Sequence, residues 1–244
     1  MSALDSWTRG THAAGGYTHD TYRKGSGPGV VVIHELPGLT PGVIAFAEEV
    51  VAAGFTVVLP HLFGTPEDPA TPGVFARVFP KVCVNKEFTK LAVGETTPAA
   101  VWLRSLAREL HEELGGPGVG ALGMCFTGGY ALAMMVDAPV EAPVLCQPSA
   151  PFPLGKRRAA DLGLSPGDLD IVRRRAAAGC PVLGLRYRND PATGTRFDTL
   201  RHEIGERFLA VEFEGKGHAV LTEHRQQEAV DRVLDFLRDR LGAA

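Results

Sequence analysis

Two short apolar runs constrain this chain most. Val30-Val31-Val32-Ile33 and Phe55-Thr56-Val57-Val58-Leu59 are uncharged, rich in β-branched residues and too short for helices. Each reads as a strand buried on both faces. Between them Thr40 can cap and Pro41 can open a helix through Ala53, with Val43, Phe46, Val50 and Val51 apolar, and Gly54 stops it. A strand, a helix and a second strand in that order imply parallel strands joined by a right-handed crossover. The same alternation continues. Strands are predicted at Tyr17 to Lys24, Val119 to Leu122, Pro143 to Cys146, Pro181 to Arg188 and Phe208 to Phe213. Helices are predicted at 98–114, after Gly129, at 166–178, 196–206 and 223–241. The expected fold class is α/β, a doubly wound and mostly parallel sheet with helices on both faces. All 244 residues fit one domain, with 1–16 as a loose lead-in and 61–97 and 148–165 as irregular stretches.

Composition removes several classes of function. A net charge of −3 and a pI of about 6.2 give no attraction to nucleic acid or to an anionic membrane. No apolar run reaches the length of a membrane span, and the polar N-terminal stretch lacks the apolar centre of a signal peptide. Gly25 to Gly29 precedes a strand instead of following one, so it is not a dinucleotide loop. The four cysteines, at 83, 125, 146 and 180, form no CxxC pair. That predicts neither a zinc site nor a disulfide framework, and suits a cytoplasmic protein with reduced thiols.

The chemistry centres on Gly123-Met124-Cys125-Phe126-Thr127-Gly128-Gly129. A strand-like run leads into it and good helix formers follow. Cys125 therefore occupies a strand-to-helix corner, where small neighbours lift a nucleophile clear and a helix N-terminus favours the thiolate. The plainer interpretation of one such residue is a buried cysteine in a tight turn. Convergence decides between them: Glu35, Cys125, Asp190 and His218 each fall just after a predicted strand, on the sheet edge where ligands bind. A nucleophilic cysteine needs a base, and the base needs an orienting acid. In the α/β-hydrolase arrangement nucleophile, acid and histidine follow in that order, which leaves His202, His218 and His224. His218, in a glycine-flanked loop after the last strand, is preferred. Asp190 at a strand end is preferred to Asp198, which suits the first turn of a helix. The backbone N–H groups of Leu36 and Phe126 are the expected oxyanion donors.

Together Glu35-Leu36-Pro37-Gly38, Gly123-x-Cys125-x-x-Gly128-Gly129, Asp190 and Gly217-His218 resemble the dienelactone hydrolase family of α/β-hydrolases, over most of the chain from residue 30 onward. The resemblance implies hydrolysis of a small ester or lactone by a Cys-His-Asp triad, through an acyl-thiol intermediate and without a cofactor or metal. It also implies that Glu35 interacts with the resting cysteine and helps gate thiolate formation. Two positions depart from the family pattern. Thr127 replaces a glycine, and Thr222 stands where dienelactone-hydrolysing members carry an arginine for the substrate carboxylate, which argues against dienelactone itself. The long stretch 61–97 is expected to cover the catalytic edge. Within it Phe79 can wall an acyl pocket, while Arg77 and Lys81, with Lys86 nearby, can supply the missing positive charge. The expected partner is a small ester or lactone, and the chain a monomer or homodimer. The competing readings are a non-catalytic binding or redox-sensing protein built on the same scaffold with Cys125 as its reactive thiol, and, less favoured, a cysteine peptidase.

Overall fold

The computed structural model describes residues 2–88, 93–137 and 139–242. Eight strands form one sheet: β1 (Thr8–Ala14), β2 (Tyr17–Lys24), β3 (Gly29–Ile33), β4 (Thr56–His61), β5 (Val119–Met124), β6 (Val140–Cys146), β7 (Val182–Tyr187) and β8 (Phe208–Phe213). Their spatial order is β1-β2-β4-β3-β5-β6-β7-β8. β1 and β2 are antiparallel to their neighbours, and every pairing from β4 to β8 is parallel. The helices are α1 (Pro41–Ala52), α2 (Pro72–Val84), α3 (Pro98–Leu114), α4 (Gly128–Met134), α5 (Lys156–Ala159), α6 (Pro166–Ala177), α7 (Arg196–Ile204) and α8 (Gln227–Leu241). This is the mostly parallel α/β-hydrolase architecture expected from the strand-helix alternation.

Alternation along the central strands divides the core in two. Val30 and Val32 belong to the cluster under α1 and α8, with Phe46, Val50, Val233 and Leu237. Val31 and Ile33 belong to the cluster under α3, α4, α6 and α7, with Trp102, Leu103, Leu132 and Phe197. Strands buried on both faces have no polar side, which is why they read as unbroken apolar runs. Four helices open on a Thr-Pro or Ser-Pro step, α2 among them. In α1, α3 and α6 the hydroxyls of Thr40, Thr97 and Ser165 accept from the third N–H along, and proline occupies the first helical position.

Three elements differ from expectation. Residues 8–14, expected as a loose lead-in, form the edge strand β1, paired with β2 over its whole length. Gly10 and a largely exposed pattern hid it, and it is anchored where His12 meets the Trp102 ring. The stretch 61–97 contains the helix α2, although Pro80 lies inside it. Thr71-Pro72 gives it the same start signal as α1, with the Thr71 hydroxyl accepting from Val74 N–H. Residues 89–92 of that stretch lie outside the described residues. The last helix begins at Gln227, four residues later than predicted, because Gln226 N–H and the Tyr187 hydroxyl tie residues 220–226 into turns.

At the carboxyl end of β3, fully buried His34 joins two strands. Its Nε2 accepts from Leu62 N–H at 3.0 Å, and Nδ1 donates to the Glu35 carbonyl at 3.0 Å. Burial pushes its pKa down to about 3, so the ring is neutral and both nitrogens are satisfied.

The crossing of β5 and α4 tolerates no extra atom. A Cβ on Gly123 would lie 2.2 Å from the Thr127 carbonyl oxygen, and one on Gly128 2.7 Å from Pro148 Cα. Both obstacles are backbone, so neither can swing away. Gly123→Ala is expected to lower stability by about 3 kcal/mol, the upper end for overpacking, read as a lower urea midpoint at unchanged slope.

Candidate active site

Cys125 follows β5 directly, in the left-handed region at φ +52°. A non-glycine residue held there carries strain, and such strain recurs at nucleophile corners. Two contacts hold the corner. The Ser149 N–H donates to the Cys125 carbonyl at 2.9 Å. Thr127, buried at the start of the following helix, accepts from Met124 N–H at 3.1 Å. Its hydroxyl also lies 3.0–3.2 Å from the carbonyls of Met124, His34 and Ile33, to one of which it donates its single proton. A threonine in the place of the family's glycine therefore fastens the corner to β3.

The sulfur has neighbours from two other strand ends. His218, in the loop after β8, places Nδ1 2.7 Å from Asp190 Oδ2. Cys125 is close enough to this ring to raise its pKa. Asp190, after β7, is held in turn by the Thr193 hydroxyl at 2.8 Å and the Ala192 N–H at 3.0 Å. Burial lowers the His218 pKa, but hydrogen bonds and charge from Asp190 and Cys125 outweigh it and raise the value to about 10. Burial likewise works against the Asp190 carboxylate, yet His218 and Thr193 hold its pKa below the usual range. The other two histidines are elsewhere: His202 and His224 are exposed. Asp198 sits in the first turn of α7, paired with Arg201 at 3.0 Å.

Glu35 is brought to the same edge, after β3, and is buried. Its hydrogen bonds run to the Thr222 hydroxyl and to Gln147 Nε2, the latter at 3.3 Å, and not to Cys125. Burial pushes its pKa up, against the hydrogen bonds from Thr222 and Gln147. Thr222 thus occupies the arginine position of the family as a neutral tether for Glu35. Gln147, itself left-handed at φ +34°, is the second tether.

Two residues at this edge escaped the sequence reading. Gln147 and Ser149 lie past β6, the one just before and the other within the stretch 148–165 read as irregular. The Ser149 hydroxyl is 3.4 Å from Cys125 Sγ, and Ser149 is only 2% exposed. The signal was positional: β6 neighbours β5 in the parallel order, so the residues that follow both strands must meet. Leu36 and Phe126, the expected oxyanion donors, flank the sulfur by position, one after β3 and one after Cys125.

The segment after β4 approaches the site through its aromatic residues. Phe79 of α2 stacks on Phe75 at 5.2 Å and tilts against Phe152 at 5.1 Å, and Phe152 faces Phe126 at 6.0 Å. Arg77 and Lys81 line a different cavity, with Phe63, Val78 and Val82, and Arg77 is paired with Asp68. Lys86 is exposed beyond the end of α2. Among the described residues no cluster of His, Cys, Asp or Glu could hold a metal ion, and no helix is long and apolar enough to cross a membrane.

The profile of the dienelactone hydrolase family matches residues 16–239, nearly the whole chain, and the chain belongs to that family. Membership makes it a hydrolase of the ester and lactone class. It has no significant match among curated protein sequences. Among solved structures it is similar to a dienelactone hydrolase from Anabaena variabilis, at 16% identity and a TM-score of 0.66, covering 96% of this chain and 98% of that one. A dienelactone hydrolase-like promiscuous phosphotriesterase from metagenomic libraries is 16% identical with a TM-score of 0.63, covering 97% and 98%. A cold-adapted esterase from an Arctic intertidal metagenomic library is 17% identical with a TM-score of 0.59, covering 97% and 95%. At these identities the likeness is one of fold.

The thiols should differ sharply in reactivity. Burial raises the pKa of Cys83, burial and the Glu35 charge lift Cys146 well above its usual value, and burial pushes Cys180 up to about 11. Cys125, by contrast, is coupled to His218. Stoichiometric iodoacetamide at neutral pH is expected to label Cys125 first by at least about tenfold, as read by peptide mass mapping. Faster labelling of Cys83 or Cys180 would contradict this.

Proposed function

We propose that this chain hydrolyses a small ester or lactone with Cys125 as nucleophile, His218 as acid and base, and Asp190 as the group that orients it. The observation that carries the proposal is the 2.7 Å bond from His218 Nδ1 to Asp190, on an imidazole whose pKa a nearby left-handed Cys125 helps to raise. Asp190 fixes the tautomer, so the ring nitrogen facing the sulfur is the one that exchanges protons. With its pKa raised to about 10, His218 is an imidazolium at neutral pH and stabilises a thiolate beside it. Ser149 supports the same state. Its buried hydroxyl needs an acceptor, and a thiolate accepts better than a thiol.

Thiolate attack on the carbonyl carbon forms the C–S bond and moves the carbonyl electron pair onto oxygen. Leu36 and Phe126 N–H groups receive that oxyanion. Collapse breaks the bond to the leaving alkoxide, which takes the proton from His218. The neutral imidazole then removes a proton from water, whose oxygen attacks the thioester. The second collapse releases the carboxylic acid and returns the thiolate–imidazolium pair. Glu35 is a buried acid tethered to Thr222 and Gln147, within the electrostatic range of His218. A reorientation toward the sulfur would give it the gating role that the resemblance implies.

Hydrolysis of an aryl acetate should be abolished by Cys125→Ala. A scaffold that only binds or senses would show no turnover to lose. Asp190→Asn is expected to lower kcat/KM by about 10⁴, as loss of the orienting acid does in serine hydrolases, while Asp198→Asn changes it little. Ser149→Ala should lower Cys125 alkylation near pH 6 by about tenfold, the effect of one hydrogen bond to a charged group, with Ser149→Thr retaining most of it.

The pH dependence follows from the raised His218 value. A group whose pKa is raised holds its proton, and the ion pair with it, from low pH up to that value. Activity is therefore expected to fall as pH rises through about 10, not near the ordinary histidine value of 6.5. A kcat/KM profile that turns down at neutral pH would show that the pair is not the resting state.

A further inference from the structure

We infer that the acyl arm of the substrate is an uncharged aryl or short alkyl group, bound in the cavity beside the Cys125 corner. This rests on the hydrolase reading above. The cavity measures about 190 Å³. One wall is the face of α4 that carries Phe126, Gly129 and Tyr130. The facing wall includes Ala150 and Phe152. Both walls begin one residue beyond the contact between Cys125 and Ser149. Cys125 and Ser149 do not line the cavity themselves; each is followed directly by a residue that does, Phe126 and Ala150.

Its position assigns the arm. No residue of the Asp190 turn or the His218 loop lines it. The leaving group must be protonated by His218, so it lies on the histidine side, and the cavity is left for the acyl side. Phe126 connects the two, since its N–H is the expected oxyanion donor and its ring is part of the wall.

Size and chemistry assign the class. An apolar cavity of about 150 Å³ is enough to hold benzene, so this one accepts a phenyl ring or a chain of about six carbons. The rings of Phe126, Tyr130 and Phe152 lie within 6.2 Å of their neighbours and offer edges and faces to an aryl group. The Tyr130 hydroxyl is already committed to the Phe88 carbonyl at 2.7 Å. Among the described lining residues two carboxylates, Glu95 and Asp161, stand against one cation, Arg158, a balance that disfavours a second carboxylate on the arm. Arg77 and Lys81, which could have bound one, line the other cavity.

Gly129 supplies a clean test. A Cβ there would meet Leu162 O at 3.4 Å and Ala150 O at 3.8 Å, ordinary contact distances, so a side chain enters the cavity without striking backbone. The measurement is kcat/KM for the 4-nitrophenyl esters of acetate, hexanoate and adipate, the last being hexanoate with a terminal carboxylate. The parent should prefer hexanoate to adipate by at least about tenfold, and Gly129→Val should lower the hexanoate-to-acetate ratio by a similar factor. Phe152→Ala, which enlarges the cavity, should raise the octanoate-to-hexanoate ratio. Adipate preference, or ratios unmoved in both variants, would overturn the assignment. Binding of phenylacetamide to Cys125→Ala, followed by calorimetry, separates this inference from the hydrolase reading. If binding is weakened at least about tenfold by Gly129→Val the cavity assignment stands whatever nucleophile is used, and if it is unchanged the assignment falls.

Discussion

The close crossing of β5 and α4 is the constraint on which the site depends. Gly123 and Gly128 let backbone meet backbone at distances no side chain could share. Cys125, between them, is forced into a left-handed conformation that an L-residue adopts only when its surroundings over-determine it. The surroundings do so from three directions: the β3 end through the Thr127 hydroxyl, the β6 end through Ser149, and the helix that follows. The threonine replaces glycine's smallness with a fastening. It occupies space at the corner and returns it as hydrogen bonding to the backbone around it.

Parallel topology does the rest. Residues 35, 125, 147 with 149, 190 and 218 come from five separate parts of the chain, yet each part follows a strand that runs the same way. Strand ends are stacked side by side at the spacing of the sheet, so side chains a few residues past them meet. The two hydrophobic layers beneath fix the strands. Loops at that edge can therefore change what is bound without disturbing what holds the sheet together.

Much of this was legible in the amino-acid order. β3, β4 and β5 are apolar runs because both their faces are buried, and Thr40-Pro41 and Thr97-Pro98 announce helices by chemistry that acts locally. Cys125, Asp190 and His218 could be placed because each lies a fixed short distance past such a run. What could not be read depends on pairing or on distant packing. β1 is a strand because β2 offers it an edge, and its own sequence carries no alternation strong enough to show it. Pro80 spoils the helical pattern of α2 locally, but the helix persists, packed through Val78 and Val82 against the core. Ser149 has nothing distinctive in its own neighbourhood, since its role comes from the register of β6 beside β5. The directions of Arg77 and Lys81 were equally hidden, because which cavity a helix face looks into is a property of the fold.

Two histidines, buried His34 and half-buried His218, give the molecule opposite sensitivities at its two pH extremes. His34 is neutral in the folded chain, with a pKa near 3, whereas an unfolded chain would protonate it near 6.5. Acidification below about 6.5 therefore favours unfolding at the joint between β3 and β4, increasingly so until about pH 3. His218 is protonated in the folded chain up to about 10, above its unfolded value. Its contribution is complete below about 6.5 and is lost as pH rises through 10. One ring acts as a fuse against acid and the other as a fuse against alkali, and both sit on the same edge of the same sheet. The range over which both contribute is thus bounded by two imidazoles whose neighbours differ, a carbonyl and an amide for one and the Asp190 carboxylate for the other.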